Sequence, residues 1–109
     1  MGVIMENKPK RNIDEYGNKK WYINGVLHRE DGPAIELKSG TKIWCFDGEY
    51  HRLDGPTFEM VDGTTEWWIN DCLVSFIITK WAEENDIDLN NLTELDKALI
   101  KLVWADYGK

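Results

Sequence analysis

The sequence predicts an α+β fold: an antiparallel β-meander built from 23-residue repeats, followed by two C-terminal α-helices. Three observations predict it. Trp21, Trp44 and Trp67 recur every 23 residues, each four positions after a glycine (Gly17, Gly40, Gly63). Three positions beyond each tryptophan stand Asn24-Gly25, Asp47-Gly48 and Asn70-Asp71. Asn-Gly or Asp-Gly between short apolar runs is the strongest local signal for a two-residue hairpin. After Leu73 the pattern stops, and apolar residues take up helical spacing.

The elements follow in order within one domain, 1–109. Residues 1–14 read as a lead-in, with Lys8, Lys10 and Arg11 ("KPKR") in an N-terminal tail. Residues 15–74 carry the repeats. "WYINGVLH" and "WCFDGEYH" are hairpins. "AIELKSGTKIW" alternates Ile35 and Leu37 with Glu36 and Lys38, then turns at Ser39-Gly40. "TFEMVDGTTEW" sets Phe58 and Met60 against Glu59 and turns at Asp62-Gly63. Alternation of this kind buries one face and wets the other. Turn spacing predicts roughly six to eight short strands.

Residues 75–109 are helical. Ser75 is the expected N-cap of a helix whose apolar side is Phe76, Ile77, Ile78, Trp81 and Ala82. "DIDLNN" interrupts it. A second helix is expected from a capping box at Asn91-x-x-Glu94, with a buried stripe of Leu92, Leu95, Leu99, Leu102 and Val103 and Gly108 after its C-terminus.

Composition narrows the function. The formal net charge of −7 argues against a general affinity for nucleic acid or anionic membrane and suits a basic protein surface. Cys45 and Cys72 form no C-x-x-C pair, so free thiols in a reducing cytoplasm are expected. No apolar run approaches the ~18 residues of a membrane helix. "MGVIM" is too short for a secretory apolar region, and position 6 lacks the Ser or Thr of a myristoylation signal.

The chemistry-bearing motif is His-Arg-x-Asp-Gly-Pro, present as His28, Arg29, Asp31, Gly32, Pro33 and again as His51, Arg52, Asp54, Gly55, Pro56. A histidine and an aspartate three residues apart can serve as a base and its orienter, or as metal ligands. Equivalent positions in successive units of a meander stand ~10 Å apart, however, whereas zinc–ligand bonds are about 2 Å. His-Arg-x-Asp also occurs in the kinase catalytic loop, but no Asp-Phe-Gly, glycine-rich loop or strand lysine accompanies it. The alternative is a structural corner. Aspartate bonds backbone N–H groups just ahead, glycine takes torsions other residues avoid, and proline opens the next strand. Histidine bonds the aspartate or a corner carbonyl, and arginine pairs with Asp31 or Asp54 or lies over an aromatic ring. The motif vanishes where the meander gives way to helix, which favours the corner.

Trp21, Trp44 and Trp67 are expected in the core. Tyr22 and Trp68 then point to the opposite face, where Glu36 and Glu59 share their parity, as the candidate recognition surface. Glu83, Glu84, Asp86 and Asp88 read as a solvated inter-helix loop or a contact for a basic partner. Trp104 and Tyr107 fit either the core or a dimer contact.

The pattern Gly-x-x-x-Trp-x-x-Asn-Gly-x-x-His, repeating at 23 residues over 15–74, resembles the MORN repeat family. Its His-Arg-x-Asp-Gly-Pro form is similar to MORN-like repeats of small phage and bacterial proteins, where MORN repeats usually continue Gly-x-Gly. The resemblance implies an interaction module: MORN proteins are scaffolds, some bacterial relatives are labelled antitoxins, and phage proteins of this size inhibit host enzymes or defence systems. The expectation is a non-catalytic cytoplasmic protein-binding module, phage- or bacterium-encoded, inhibiting or modulating a host protein. It takes a protein partner, with no nucleic acid, membrane, metal or cofactor. The alternatives are a metal-dependent or hydrolytic enzyme using the paired His and Asp residues, and a homo-oligomer assembled through open meander edges.

Overall fold

Two kinds of turn alternate along the chain in the computed structural model, which describes residues 8–105 and 107. The first is the two-residue hairpin. Asn24 and Gly25 take φ of 50° and 78°, Asp47 and Gly48 take 51° and 82°, and Asn70 and Asp71 take 47° and 65°. Left-handed torsions at both central residues match the twist of the flanking strands. These turns join β2 (Lys19–Ile23) to β3 (Val26–Leu27), β6 (Cys45–Phe46) to β7 (Glu49–Tyr50), and β10 (Trp68–Ile69) to β11 (Cys72–Leu73).

The second turn is longer. It joins β1 (Lys10–Ile13) to β2, β4 (Ile35–Glu36) to β5 (Lys42–Ile43), and β8 (Phe58–Glu59) to β9 (Thr65–Glu66). It closes through the Leu37 N–H to the Thr41 carbonyl at 2.9 Å, and through Met60 to Thr64 at 2.8 Å. The same bond from Asp14 to Asn18, at 3.0 Å, places β1 in the repeat scheme. Lys10 and Arg11, expected in a tail, therefore lie in an edge strand paired over four residues with β2.

The main sheet runs β1-β2-β4-β5-β8-β9, antiparallel throughout, with β3 also on β2. Among the described residues the strands number eleven rather than six to eight. The reason lies at the tryptophans, where the chain changes partners. Trp44 N–H bonds the Thr57 carbonyl of the next unit at 2.8 Å, while its own carbonyl accepts from His51 in its own hairpin at 3.2 Å. In the second and third units the long strand is thereby split between the sheet and the hairpin, whereas β2 continues unbroken through Trp21. Successive hairpins are joined in turn by Gly48 N–H to Leu27 O at 2.8 Å and Asp71 N–H to Tyr50 O at 3.0 Å.

Two helices follow, α1 (Ser75–Glu84) and α2 (Glu94–Ala105). Ser75 is not the N-cap: Val74 holds that position and no side chain caps it. The Ser75 hydroxyl instead accepts the Trp67 N–H at 3.0 Å. In the first two units that amide's counterpart bonds a carbonyl of the next repeat, Ala34 or Thr57. The third unit has no successor, and Ser75 replaces it. The capping box of α2 also lies two residues later than Asn91/Glu94. Thr93 Oγ1 accepts from Asp96 N–H at 3.0 Å, and Asp96 Oδ2 accepts from Thr93 N–H at 3.0 Å. Gly108 and the Met1-Gly2 start fall outside the described residues.

The core is split. A small cluster of Ala34, Ile35 and Cys45 lies in the sheet. A larger one joins Trp67, Ile69 and Val74 to Ile78 of α1 and to Ile100 and Trp104 of α2. Phe76 and Ile77 face solvent, as do Leu95 and Leu102 of the expected stripe, at 68% and 66% exposure. Apolar residues occur on nearly every side of α2, so spacing could not choose the inner face; the fit of Ile100 and Trp104 against Trp67 and Val74 did. Among the described residues no helix is long and apolar enough to cross a membrane.

Candidate functional site

Each His-Arg-x-Asp-Gly-Pro corner is organised around its arginine. Arg29 Nε donates to Asp31 Oδ1 at 2.9 Å, and Nη1 donates to the Pro33 carbonyl at 3.1 Å and Glu36 Oε2 at 3.3 Å. Arg52 repeats this with Asp54 at 3.1 Å, Pro56 at 2.9 Å and Glu59 at 2.8 Å. The guanidinium carbons lie 4.0 Å and 3.8 Å from the centres of the Trp21 and Trp44 rings. A planar cation with five donors suits this combined stacking and forked bonding.

The glycines complete the arrangement for a reason other than torsion. Neither Gly32 nor Gly55 has positive φ. A Cβ on Gly32 would stand 3.0 Å from the Arg29 guanidinium carbon, and one on Gly55 would stand 2.6 Å from that of Arg52. Each guanidinium thus lies between an indole face and bare glycine backbone. The arginines pair with Asp31 and Asp54 and lie over indole rings, both as the corner reading expects. Arg29 holds the Asp31 carboxyl below the usual carboxylate range through that hydrogen bond and its charge.

The histidines reach forward into the next unit rather than to their own aspartates. His28 Nδ1 accepts the Asp47 N–H at 2.9 Å, and His51 Nδ1 accepts the Asn70 N–H at 3.1 Å. Both amides open a two-residue turn, so each histidine ties its repeat to the following hairpin. Accepting at Nδ1 requires that nitrogen to be unprotonated, and burial lowers the pKa of His51 below its ordinary value. In the third unit Val74 stands where the histidine would, and is buried.

Between the two corners lies an open groove of about 570 Å³. Its apolar side is Trp44, Phe46 and Leu53, and Lys101 of α2 borders it. Phe46 fills the space between the histidines, its ring 4.4 Å from His28 and 6.0 Å from His51. Each arginine faces two carboxylates, and Glu30 adds a third acid at the first corner, so both corners are net negative. Phe46 was legible only as a repeat position shared with Ile23 and Ile69. Lys101 gave no sequence signal, because only tertiary packing brings α2 beside the repeats.

Several residues of the expected recognition face are engaged within the fold. Tyr22 is half-buried in β2, across from Leu27. Trp68 is half-buried, packed edge-on to Tyr50 at 5.4 Å and 6.0 Å from Phe58, with Nε1–H donating to Glu66. Glu36 and Glu59 are occupied by the arginines. Glu83 and Glu84 are exposed at the end of α1. Of the three repeat tryptophans only Trp67 is fully in the core; Trp21 and Trp44 are half-buried beneath their guanidinium groups. Burial raises the Cys45 thiol to about 11, while Cys72 is exposed; both are free. Among the described residues no group of three or more His, Cys, Asp or Glu side chains could hold a metal ion.

Comparison with protein-family models, with curated proteins and with solved structures returned no match for this chain.

Proposed function

We propose that this chain is a non-catalytic, MORN-like protein-binding module, a cytoplasmic inhibitor or modulator of a host protein encoded by a phage or bacterium. The groove between the repeat corners supports the reading most directly. It offers partly exposed Phe46 and Leu53 beside corners that are each net negative, on a chain of net charge −7. That combination suits a lysine or arginine side chain of a partner, held by the Phe46 ring and nearby carboxylates. The use of both histidine Nδ1 atoms as acceptors for turn amides favours this reading over hydrolysis by the paired His and Asp residues.

The test is affinity capture of host proteins on the immobilised chain, followed by titration of the captured protein. Phe46→Ala with Leu53→Glu is expected to weaken binding at least tenfold, and raised salt to weaken it further. Tyr22→Ala with Trp68→Ala is expected to leave it within a few-fold. The reverse ranking moves the site to the Tyr22 and Trp68 face; no saturable protein ligand at all sinks the reading.

A further inference from the structure

The outward face of α2 is apolar, although it lies largely open to solvent. At 100° per residue, Leu95, Ala98, Leu99, Leu102 and Ala105 lie on the side away from buried Ile100 and Trp104. All five are exposed. A surface helix ordinarily turns its polar residues outward, and an uncovered apolar side of this kind marks an interaction surface.

The charges beside this face select its occupant. Glu94, Lys97 and Lys101 run along one flank, the acid in the first turn and Lys101 two turns later. When two copies of a helix pack antiparallel about a two-fold axis, each flank meets its own counterpart in reverse. Leu95 of one copy then lies near Leu102 of the other. Glu94 of each copy meets Lys101 of the other, once on each side of the axis. A parallel pair would set this flank against Asp96 and Val103, leaving Glu94 opposite no cation.

We propose that α2 is a self-association surface, through which two copies of the chain pair antiparallel on the Leu95–Leu99–Leu102 face. This interface is separate from the meander edges and from the corner groove, except that Lys101 borders both. A 12-residue helix covers only a small area, below the roughly 1,200 Å² total of a typical stable interface. The dimer is therefore weak, with a dissociation constant in the micromolar to submillimolar range.

Sedimentation equilibrium of the full chain over a wide concentration range tests it. The expected result is a reversible rise from 12.7 kDa to twice that mass. Leu95→Lys with Leu102→Lys is expected to hold the chain at the monomer mass, with an unchanged circular dichroism spectrum because both side chains are already exposed. Glu94→Lys and Lys101→Glu are each expected to weaken the dimer roughly fivefold or more, and the two together to restore it. Glu94→Lys also places a cation at a helix N-terminus, so a merely structural role would leave the pair of reversals no better than the singles. A monomer at millimolar protein overturns the proposal and leaves the face to a different protein. A dimer indifferent to Leu95 and Leu102 overturns it equally.

Discussion

Arg52 is gripped on three sides, by the Trp44 ring, by the carboxylates of Asp54 and Glu59, and by the backbone of Gly55. Crowding at the glycine makes the corner intolerant of one added methyl. Gly55→Ala is expected to lower stability by about 1–3 kcal/mol, the usual cost of overpacking. Gly32→Ala should cost less, since its Cβ would meet Arg29 at 3.0 Å rather than 2.6 Å. Urea unfolding of the two variants tests that order, and equal losses would place the requirement elsewhere than at the guanidinium. His51 adds a pH dependence. His51 is held below its ordinary value of 6.5, so the unfolded chain takes up a proton that the folded chain resists. Its contribution is present above pH 6.5 and is lost as pH falls below that value. The lowered carboxyls of Asp14, Asp31 and Asp62 act in a separate window, below their ordinary 3.8. Unfolding at pH 7 and pH 5.5 should therefore show a smaller pH effect in His51→Gln than in the parent chain.

At the scale of elements, the important event is how the repeat ends. Ser75 and Val74 occupy the places of an arginine and a histidine, and each does what the absence of a fourth unit requires. Ser75 Oγ accepts the Trp67 amide, and Val74 fills apolar space beneath α1 and α2. Ser75→Ala leaves that amide without its acceptor and should cost about 1–3 kcal/mol. An N-cap at this position would instead predict recovery in Ser75→Asp, whose carboxylate favours a helix start. Failure of Ser75→Asp to recover stability, measured by thermal unfolding, separates the two roles. The sequence signalled that the pattern broke at this point, and it signalled helix beyond. It did not show which backbone group Ser75 would meet, because that partner lies eight residues back and is brought near only by the hairpin.

Across the whole molecule, stability is uneven. The N-terminal cluster holds three buried apolar residues, whereas the C-terminal one holds six, among them two tryptophans. A stack of repeats whose units touch only their neighbours opens first where its interfaces are weakest. Native-state hydrogen exchange should therefore release the Trp21 amide before the Trp67 amide. Ile100→Ala should cost about 2–5 kcal/mol, since that side chain is fully buried between the last repeat and α1. Uniform protection across the three units would contradict this division.

Local rules settled a large part of the protein. The 23-residue period, the three two-residue turns and the existence of two terminal helices all follow from residues adjacent in sequence, whose torsional preferences act without distant help. Tertiary structure decided the rest. It sent the His28 and His51 bonds forward into the next repeat and brought Lys101 beside the corner groove. It also turned Leu95 and Leu102 outward on a helix whose apolar residues allowed more than one inner face. In each case the deciding contact joins groups distant in sequence or compares rival packings, and neither is encoded in the spacing of neighbouring residues.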